Sequence, residues 1–230
     1  MPDTVLSALP FAPALTTTDQ VFRSLYGAVI SLQLPPGTKV SEVEVAKQFD
    51  VSRQPVRDAF FRLSKLGFLA IRPQRATLVT RISARAVMDA VFVRNALESE
   101  CVMRACRQRS DRDLADLNDG IARQRLALGA ANAGEFHALD DAFHLCLCRI
   151  AGHAHVWDII QEQKAHMDRV RYLTLSEERR RSVIAEHEAI VAAIETQDDA
   201  AARRLVRDHI GGINTVLARI RAEHEDYFED

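Results

Sequence analysis

The spacing of hydrophobic positions changes near residue 82 of this 230-residue chain. Before that point, short apolar stretches alternate with turn residues. Beyond it, apolar residues recur every three to four positions over long stretches, and no proline follows Pro73. A period near 3.6 is typical of amphipathic helices. The pattern predicts a mainly α protein with an N-terminal tail at 1–16, a small domain at 17–82 and an all-α antiparallel helical bundle at 83–230.

The pattern of the small domain predicts three helices followed by a hairpin. Val45 and Phe49 are expected to face inward from the second helix, and the extended runs 68–72 and 77–80 to form a wing. A short helix, a tight turn and a capped third helix are the geometry of a winged helix-turn-helix. Helix starts are expected at good N-capping residues: Thr17 or Thr18, Ser41 with Glu44 in a capping box, and Ser52.

The third helix begins with side chains suited to DNA. Arg53, Gln54 and Arg57 project from its first turns, and these residue types read guanine and adenine edges or bind phosphates. Arg75, at the tip of the hairpin, is placed to reach a minor groove or a phosphate. We therefore expect double-stranded DNA as a partner.

The stretch LPPGTKVSEVEVAKQFDVSRQPVRDAFFRLSKLGFL resembles the DNA-binding domain of the GntR family of bacterial repressors. The PPG, VSRxPVRDA and RLxxxGFL motifs stand in family order and spacing. The resemblance implies that Arg53, Gln54 and Arg57 contact the operator. Two positions depart from the family pattern: Val43 replaces a basic residue of many relatives, and Ala76 replaces the glycine of the wing tip.

Six helices are predicted in the second domain, at about 83–109, 111–129, 133–151, 155–174, 177–196 and 198–226. Polar residues interrupt the apolar faces of three of them. Burying these groups without mutual contacts would be costly, whereas a shared divalent metal uses carboxylate and imidazole ligands. The residues are Asp140 and His144, four apart on one face, with His187 and His209 on later helices. Asp141 also reaches His144 by its spacing of three.

The second domain is similar to the FCD domain, the ligand-sensing bundle of the FadR subfamily of GntR regulators. Its signature is an Asp four residues before a His, followed by two more His; here the gaps between histidines are 43 and 22 residues. The resemblance implies Asp140, His144, His187 and His209 as metal ligands, with zinc first and nickel, manganese or iron as alternatives. Six helices rather than seven would place the chain in the VanR-like branch.

A small organic acid is the effector that this resemblance implies, because four protein ligands leave an octahedral metal two open positions. Arg94 shares the inward face of the first bundle helix with Glu98. It is either a bidentate partner for an effector carboxylate or an internal ion-pair partner of Glu98. His166 is also predicted near the cavity.

Charge separates the two domains. The chain has a net charge of −2, but residues 1–82 hold 10 basic and 6 acidic residues, whereas 83–230 hold 20 and 26. A basic small domain on an acidic protein favours an anionic partner. The four cysteines are too few for a disulfide framework. With neither a membrane-length apolar run nor a signal peptide, we expect a cytoplasmic protein without membrane contact.

These features predict a homodimeric, metabolite-responsive transcriptional regulator, a repressor and not an enzyme, that binds a palindromic operator and senses a carboxylate through a metal. Two alternatives remain open at this point. One is a metalloenzyme with an appended DNA-binding domain, since a metal with open positions can activate water. The other is a direct sensor of the metal ion.

Overall fold

The computed structural model describes residues 15–71, 76–129 and 133–229. Its N-terminal part contains three helices and three short strands. The three strands form an antiparallel sheet in the order β1-β3-β2. The elements are α1 (Thr17–Ile30), β1 (Lys39–Val40), α2 (Glu42–Gln48), α3 (Arg53–Lys65), β2 (Leu69–Ala70) and β3 (Thr77–Val79).

The helix starts differ in part from the predicted caps. α1 is capped by Thr16, one residue before Thr17, because the Thr16 side chain accepts from the backbone of Asp19 and the Asp19 carboxylate accepts in return. Ser41 and Ser52 occupy the predicted N-cap positions, but neither side chain makes a capping hydrogen bond. The predicted capping box with Glu44 is therefore wrong.

The core of the small domain lies between α1 and α3. The α3 residues Val56, Ala59, Phe60 and Leu63 are buried there, as the pattern predicts. Phe49 is 36% exposed, so its predicted inward orientation is wrong. Phe49 is the C-cap of α2 and lies just beyond its last turn. The buried residues of this short helix are Val45 and Ala46.

Strand β1 has no counterpart in the predicted hairpin. Lys39 pairs with Leu78 and Val40 with Thr77, so β3 is the central strand and β2 lies on its other side. Gly37 has φ of 81° in the turn before β1, a conformation that glycine adopts without the Cβ penalty. A strand of two residues is too short to produce a periodic pattern in the sequence.

Seven helices follow Ile82, and a 3₁₀ turn ends the described chain. The helices are α4 (Ala84–Gln108), α5 (Asp111–Leu126), α6 (Ala133–Ile150), α7 (Val156–Gln163), α8 (Ala165–Thr174), α9 (Glu177–Glu195) and α10 (Asp199–Glu223). The helix predicted at 155–174 is thus divided at Lys164. Lys164 is both the C-cap of α7 and the N-cap of α8, and its backbone angles stay in the right-handed helical region. The sequence pattern therefore shows no break at this boundary. With seven helices, the helix count no longer favours the VanR-like branch.

The two long helices α4 and α10 pack against each other along the middle of the bundle. α6 covers α4, α5 packs on α6 and α9, and α9 returns to α10. A large apolar core fills the space between them, and a smaller apolar cluster lies between α4, α6 and α7. Within the described residues, no helix combines the length and hydropathy needed to span a bilayer.

Candidate functional site

Four polar side chains meet in the interior of the bundle. Asp140 and His144 come from α6, His187 from α9 and His209 from α10, and all four are buried. One potential ligand atom from each lies within 4.8 Å of the others. Bonds of about 2.1 Å to a shared ion would place opposite ligand atoms about 4.2 Å apart, so small adjustments suffice to bring all four onto one cation.

Each imidazole has a polar partner within 3 Å of its outer nitrogen. Nδ1 of His144 lies 2.5 Å from Glu98 Oε2, and Nδ1 of His209 lies 2.6 Å from Glu186 Oε2. The third histidine, His187, donates from Nδ1 to Gln124 Oε1 at 2.9 Å. A proton held on Nδ1 leaves the Nε2 lone pair of each ring free to bind a metal.

The inner nitrogens do not satisfy one another. Nε2 of His144 lies 3.2 Å from Nε2 of His209, so two lone pairs face each other when both protons are on Nδ1. Nε2 of His187 is buried without a hydrogen-bond partner among the described residues, and it lies 3.7 Å from Asp140 Oδ1. Buried polar atoms normally have partners, and a cation would satisfy all of these lone pairs at once.

Electrostatics favour the protonation states that metal binding requires. Burial opposes ionisation of Asp140, but Arg171, 2.6 Å away, and the three histidines hold its pKa well below the usual range. Burial, followed by the neighbouring His209, lowers the pKa of His187 well below its usual value. The site therefore presents a carboxylate and a neutral imidazole, which are the ligating forms.

Asp141 does not share this site. Its Oδ1 lies 3.0 Å from Nζ of Lys164, a buried lysine that also pairs with Asp168. Asp140, one residue earlier, is the aspartate that lies with the histidines. The structure thus separates two candidates that the i,i+3 and i,i+4 spacings leave open.

Four residues contact the proposed metal ligands but were not predicted to do so from the sequence. They are Glu98, Gln124, Arg171 and Glu186. The sequence places Glu98 on the inward face of α4, but it predicts Glu98 only as an ion-pair partner of Arg94. Glu186 precedes His187 directly, where helical geometry gives no reason to expect it to contact His209. Their roles depend on how helices pack, which no local pattern encodes.

A cavity of about 470 Å³ opens beside the site and is lined by His209, Arg94 and Arg171 among others. Arg94 is buried and its Nε donates to Glu98 at 2.7 Å. The internal ion pair is therefore present, and Arg94 also lines the cavity. Its Nη2 has no hydrogen-bond partner among the described residues, so one donor of the guanidinium remains available.

His166 lies elsewhere, and its predicted place near the cavity is wrong. Its ring packs on Phe68 of the small domain at 5.4 Å between centroids, and Nδ1 accepts from the backbone of Ser83 at 3.3 Å. His166 stands on the side of α8 that faces the other domain. His137 is buried elsewhere in the bundle, with its Nε2 3.5 Å from Asp168 Oδ1.

The predicted DNA-contacting side chains of α3 are exposed, and their contacts among the described residues are with carboxylates of the same domain. Arg53 and Arg57 both lie near Glu42, at 3.6 and 3.4 Å, and Gln54 donates to Asp58 at 2.9 Å. Such exposed contacts are weak and readily exchanged for phosphate or base contacts. Arg75 lies outside the described residues.

A winged helix-turn-helix joined to an all-helical bundle with an internal polar site defines a class of one-component transcriptional regulators. Two family matches make the assignment specific: the gntR family of bacterial regulatory proteins at residues 17–79, and the FCD domain at residues 89–212. The chain belongs to the GntR family and carries an FCD domain.

Relatives agree with this assignment. The chain is 34% identical to the HTH-type transcriptional repressor RspR of Escherichia coli K12 over 95% of its own length and 96% of that protein. A regulator of Streptomyces ambofaciens is 32% identical over 93% and 90%. Among solved structures, E. coli McbR/YncC shares the fold with a TM-score of 0.76 at 20% identity, covering 90% of this chain and 99% of that one. The family and its relatives are transcriptional regulators, not enzymes.

Proposed function

We propose that this chain is a homodimeric repressor that binds a palindromic operator and senses a small carboxylate through a divalent metal. The observation that carries the proposal is the orientation of the three imidazoles. Glu98, Gln124 and Glu186 lie beside their outer nitrogens, and the inner nitrogens face one another next to Asp140. Such outer partners are typical of metal-binding histidines.

The proposed ligands are Asp140, His144, His187 and His209. Three imidazoles and a carboxylate suit zinc best, and also nickel, manganese or iron. When bound, the ion would supply positive charge and open coordination positions for a carboxylate. Glu98, Gln124 and Glu186 would keep the rings in the ligating tautomer.

The effector is proposed to occupy the cavity beside His209. Buried Arg94 and partly buried Arg171 line it, and Arg94 offers the free Nη2 donor. A guanidinium binds a carboxylate in a fixed, bidentate geometry. The cavity volume of about 470 Å³ limits the effector to a small molecule, and Met167 and Ile213 give part of the lining an apolar character.

Operator binding is proposed to involve Arg53, Gln54 and Arg57 of α3, with Arg75 of the wing as a further contact. Two copies of α3 on a two-fold axis would match two half-sites of a palindrome. A DNA-binding regulator acts at the chromosome, which places the chain in the cytoplasm.

The decisive test combines metal content with operator release. Purified chain is dialysed, its metal is measured by mass spectrometry, and its affinity for a DNA fragment selected from a random pool is measured with and without small carboxylates. We expect about one metal per chain and release only when a carboxylate is added. Release by metal alone would favour the direct metal sensor, and a chain that binds DNA but retains no metal would refute the metal site.

A further inference from the structure

The segment that joins the two domains is fixed by the bundle from two sides. Arg169 of α8 donates to the carbonyl of Thr80 at 2.7 Å, and His166 of the same helix accepts from the amide of Ser83. Between them, Ile82 donates to Tyr227 O at 2.7 Å and accepts from Glu229 N at 3.0 Å. The linker 80–83 therefore has a defined conformation, and the position of the DNA-binding domain follows from it.

Arg169 is the unusual member of this junction. Its side chain is fully buried, and Nε and Nη1 have no hydrogen-bond partner among the described residues. Burial lowers the pKa of Arg169 to about 10, yet the group stays charged at neutral pH. A buried guanidinium that has one carbonyl contact and no carboxylate partner among the described residues is costly, and opening the junction to water would relieve that cost.

The same helix reaches the polar site of the bundle. Arg171, two residues after Arg169, contacts Asp140 at 2.6 Å, and Met167 Sδ lies 3.8 Å from Arg94 Nη1. At its other side, α8 places Ala165 in the apolar core of the small domain. A ten-residue helix thus contacts both the proposed metal ligand and the linker.

We propose that α8 couples the polar site of the bundle to the linker 80–83. The contact of Arg169 with Thr80 acts as a latch: it holds the DNA-binding domain in its docked position, but the cost of burying the Arg169 charge makes that position metastable. This inference rests on the metal site proposed above. A cation bound at Oδ1 of Asp140, the oxygen that faces His187, places a second positive charge close to Arg171, which contacts Oδ2 of the same carboxylate. Repulsion between the two charges makes the position of α8 depend on whether the site is filled. A shift of α8 carries Arg169 away from Thr80, and water then solvates its guanidinium.

The test is hydrogen exchange of the amides of Ile82 and Ser83 in the full-length, metal-stripped chain, with and without Zn²⁺. In the wild type we expect Zn²⁺ to accelerate exchange at least threefold. Arg169→Met keeps an apolar stem but removes the buried charge, whose cost exceeds the value of one hydrogen bond to a carbonyl. Exchange in this variant should be at least threefold slower than in the wild type and insensitive to Zn²⁺.

Two control variants separate charge from shape. Arg169→Lys keeps the charge and should keep the response to Zn²⁺, and Arg207→Met, at an exposed position of α10, should behave as the wild type. Faster exchange in Arg169→Met would show a simple anchor and overturn the latch. Zinc binding, measured by calorimetry, distinguishes the remaining failures: binding without a linker response overturns the coupling alone, whereas no binding overturns the metal site and the coupling with it.

Discussion

Glu98 links the two ionic features of the bundle interior. One carboxylate oxygen accepts from Arg94 and the other contacts Nδ1 of His144. Burial opposes its ionisation, but Arg94 and His144 outweigh burial and lower its pKa far below the usual value. A single side chain therefore neutralises a buried arginine and sets the tautomer of a proposed metal ligand.

Replacing Glu98 with alanine should weaken both features. We expect metal affinity to fall by about 10- to 100-fold, the usual effect of losing an outer partner of a ligating histidine. Stability should fall by about 3 kcal/mol, because Arg94 is left buried without a counter-ion. Calorimetric titration and chemical unfolding measure the two effects.

Glu100 provides a control on the same helix. Its ion pair with Arg104 is exposed, so Glu100→Ala should change neither quantity appreciably. Unchanged metal affinity in Glu98→Ala would contradict the role assigned to Glu98.

His166 predicts a pH dependence of stability. Burial and the nearby Arg169 lower its pKa from 6.5 to about 4, so between these values the unfolded chain binds a proton that the folded chain does not. The contribution of His166 is intact above pH 6.5 and is lost as pH falls towards 4, by at most about 3 kcal/mol. His166→Asn keeps an acceptor for the Ser83 amide but does not titrate.

The measurement is the free energy of unfolding of the metal-free chain at pH 7.5 and pH 5.5. The wild type should lose more stability between the two pH values than His166→Asn does. Equal losses would show that His166 is not neutral in the folded junction.

At the scale of elements, α3 carries the DNA contact with little effect on stability. Arg57 is exposed and its contact with Glu42 is long, so Arg57→Ala should change stability by less than about 0.5 kcal/mol. Loss of a base contact costs about 1–3 kcal/mol per half-site, which in a dimer predicts at least about 30-fold weaker operator binding. Fluorescence anisotropy and thermal unfolding test the two statements.

The matched control is Arg123→Ala, an exposed arginine of the bundle helix α5. It removes the same charge at a position remote from α3 and should bind the operator like the wild type. An Arg57→Ala chain with unchanged operator affinity would contradict the assignment of α3 as the recognition helix.

Elements with long hydrophobic periods were predictable from the sequence, and short or packing-dependent features were not. The inward stripe of α6 led to Asp140 and His144, because helical spacing alone brings them together. The two-residue strand β1, the Thr16 cap and the boundary at Lys164 leave no periodic signal. His166 was misplaced since its stripe is ambiguous, and only the packing of α8 against Phe68 shows which side faces the small domain.

For the whole molecule, the net charge of −2 averages two domains with opposite tasks. The basic small domain suits DNA, whereas the bundle, with 26 acidic and 20 basic residues at positions 83–230, is net negative. A partner for the bundle surface should therefore be apolar rather than polyanionic. The exposed face of α4 meets this description, because Phe92 is 75% exposed and Met88, one turn earlier, is 44% exposed.

We expect this face of α4 to form the dimer contact that a palindromic operator requires. Phe92→Arg should shift the chain from dimer to monomer in light scattering and weaken operator binding at least tenfold, since a charge cannot be buried there without a partner. Leu126 is 84% exposed on α5, so Leu126→Arg makes the same chemical change away from α4 and should remain dimeric. If Phe92→Arg stays dimeric while Leu126→Arg dissociates, the contact lies on the α5 side of the bundle instead. A wild-type chain that is monomeric at micromolar concentration would refute the dimer itself, and operator binding would then have to come from a single α3.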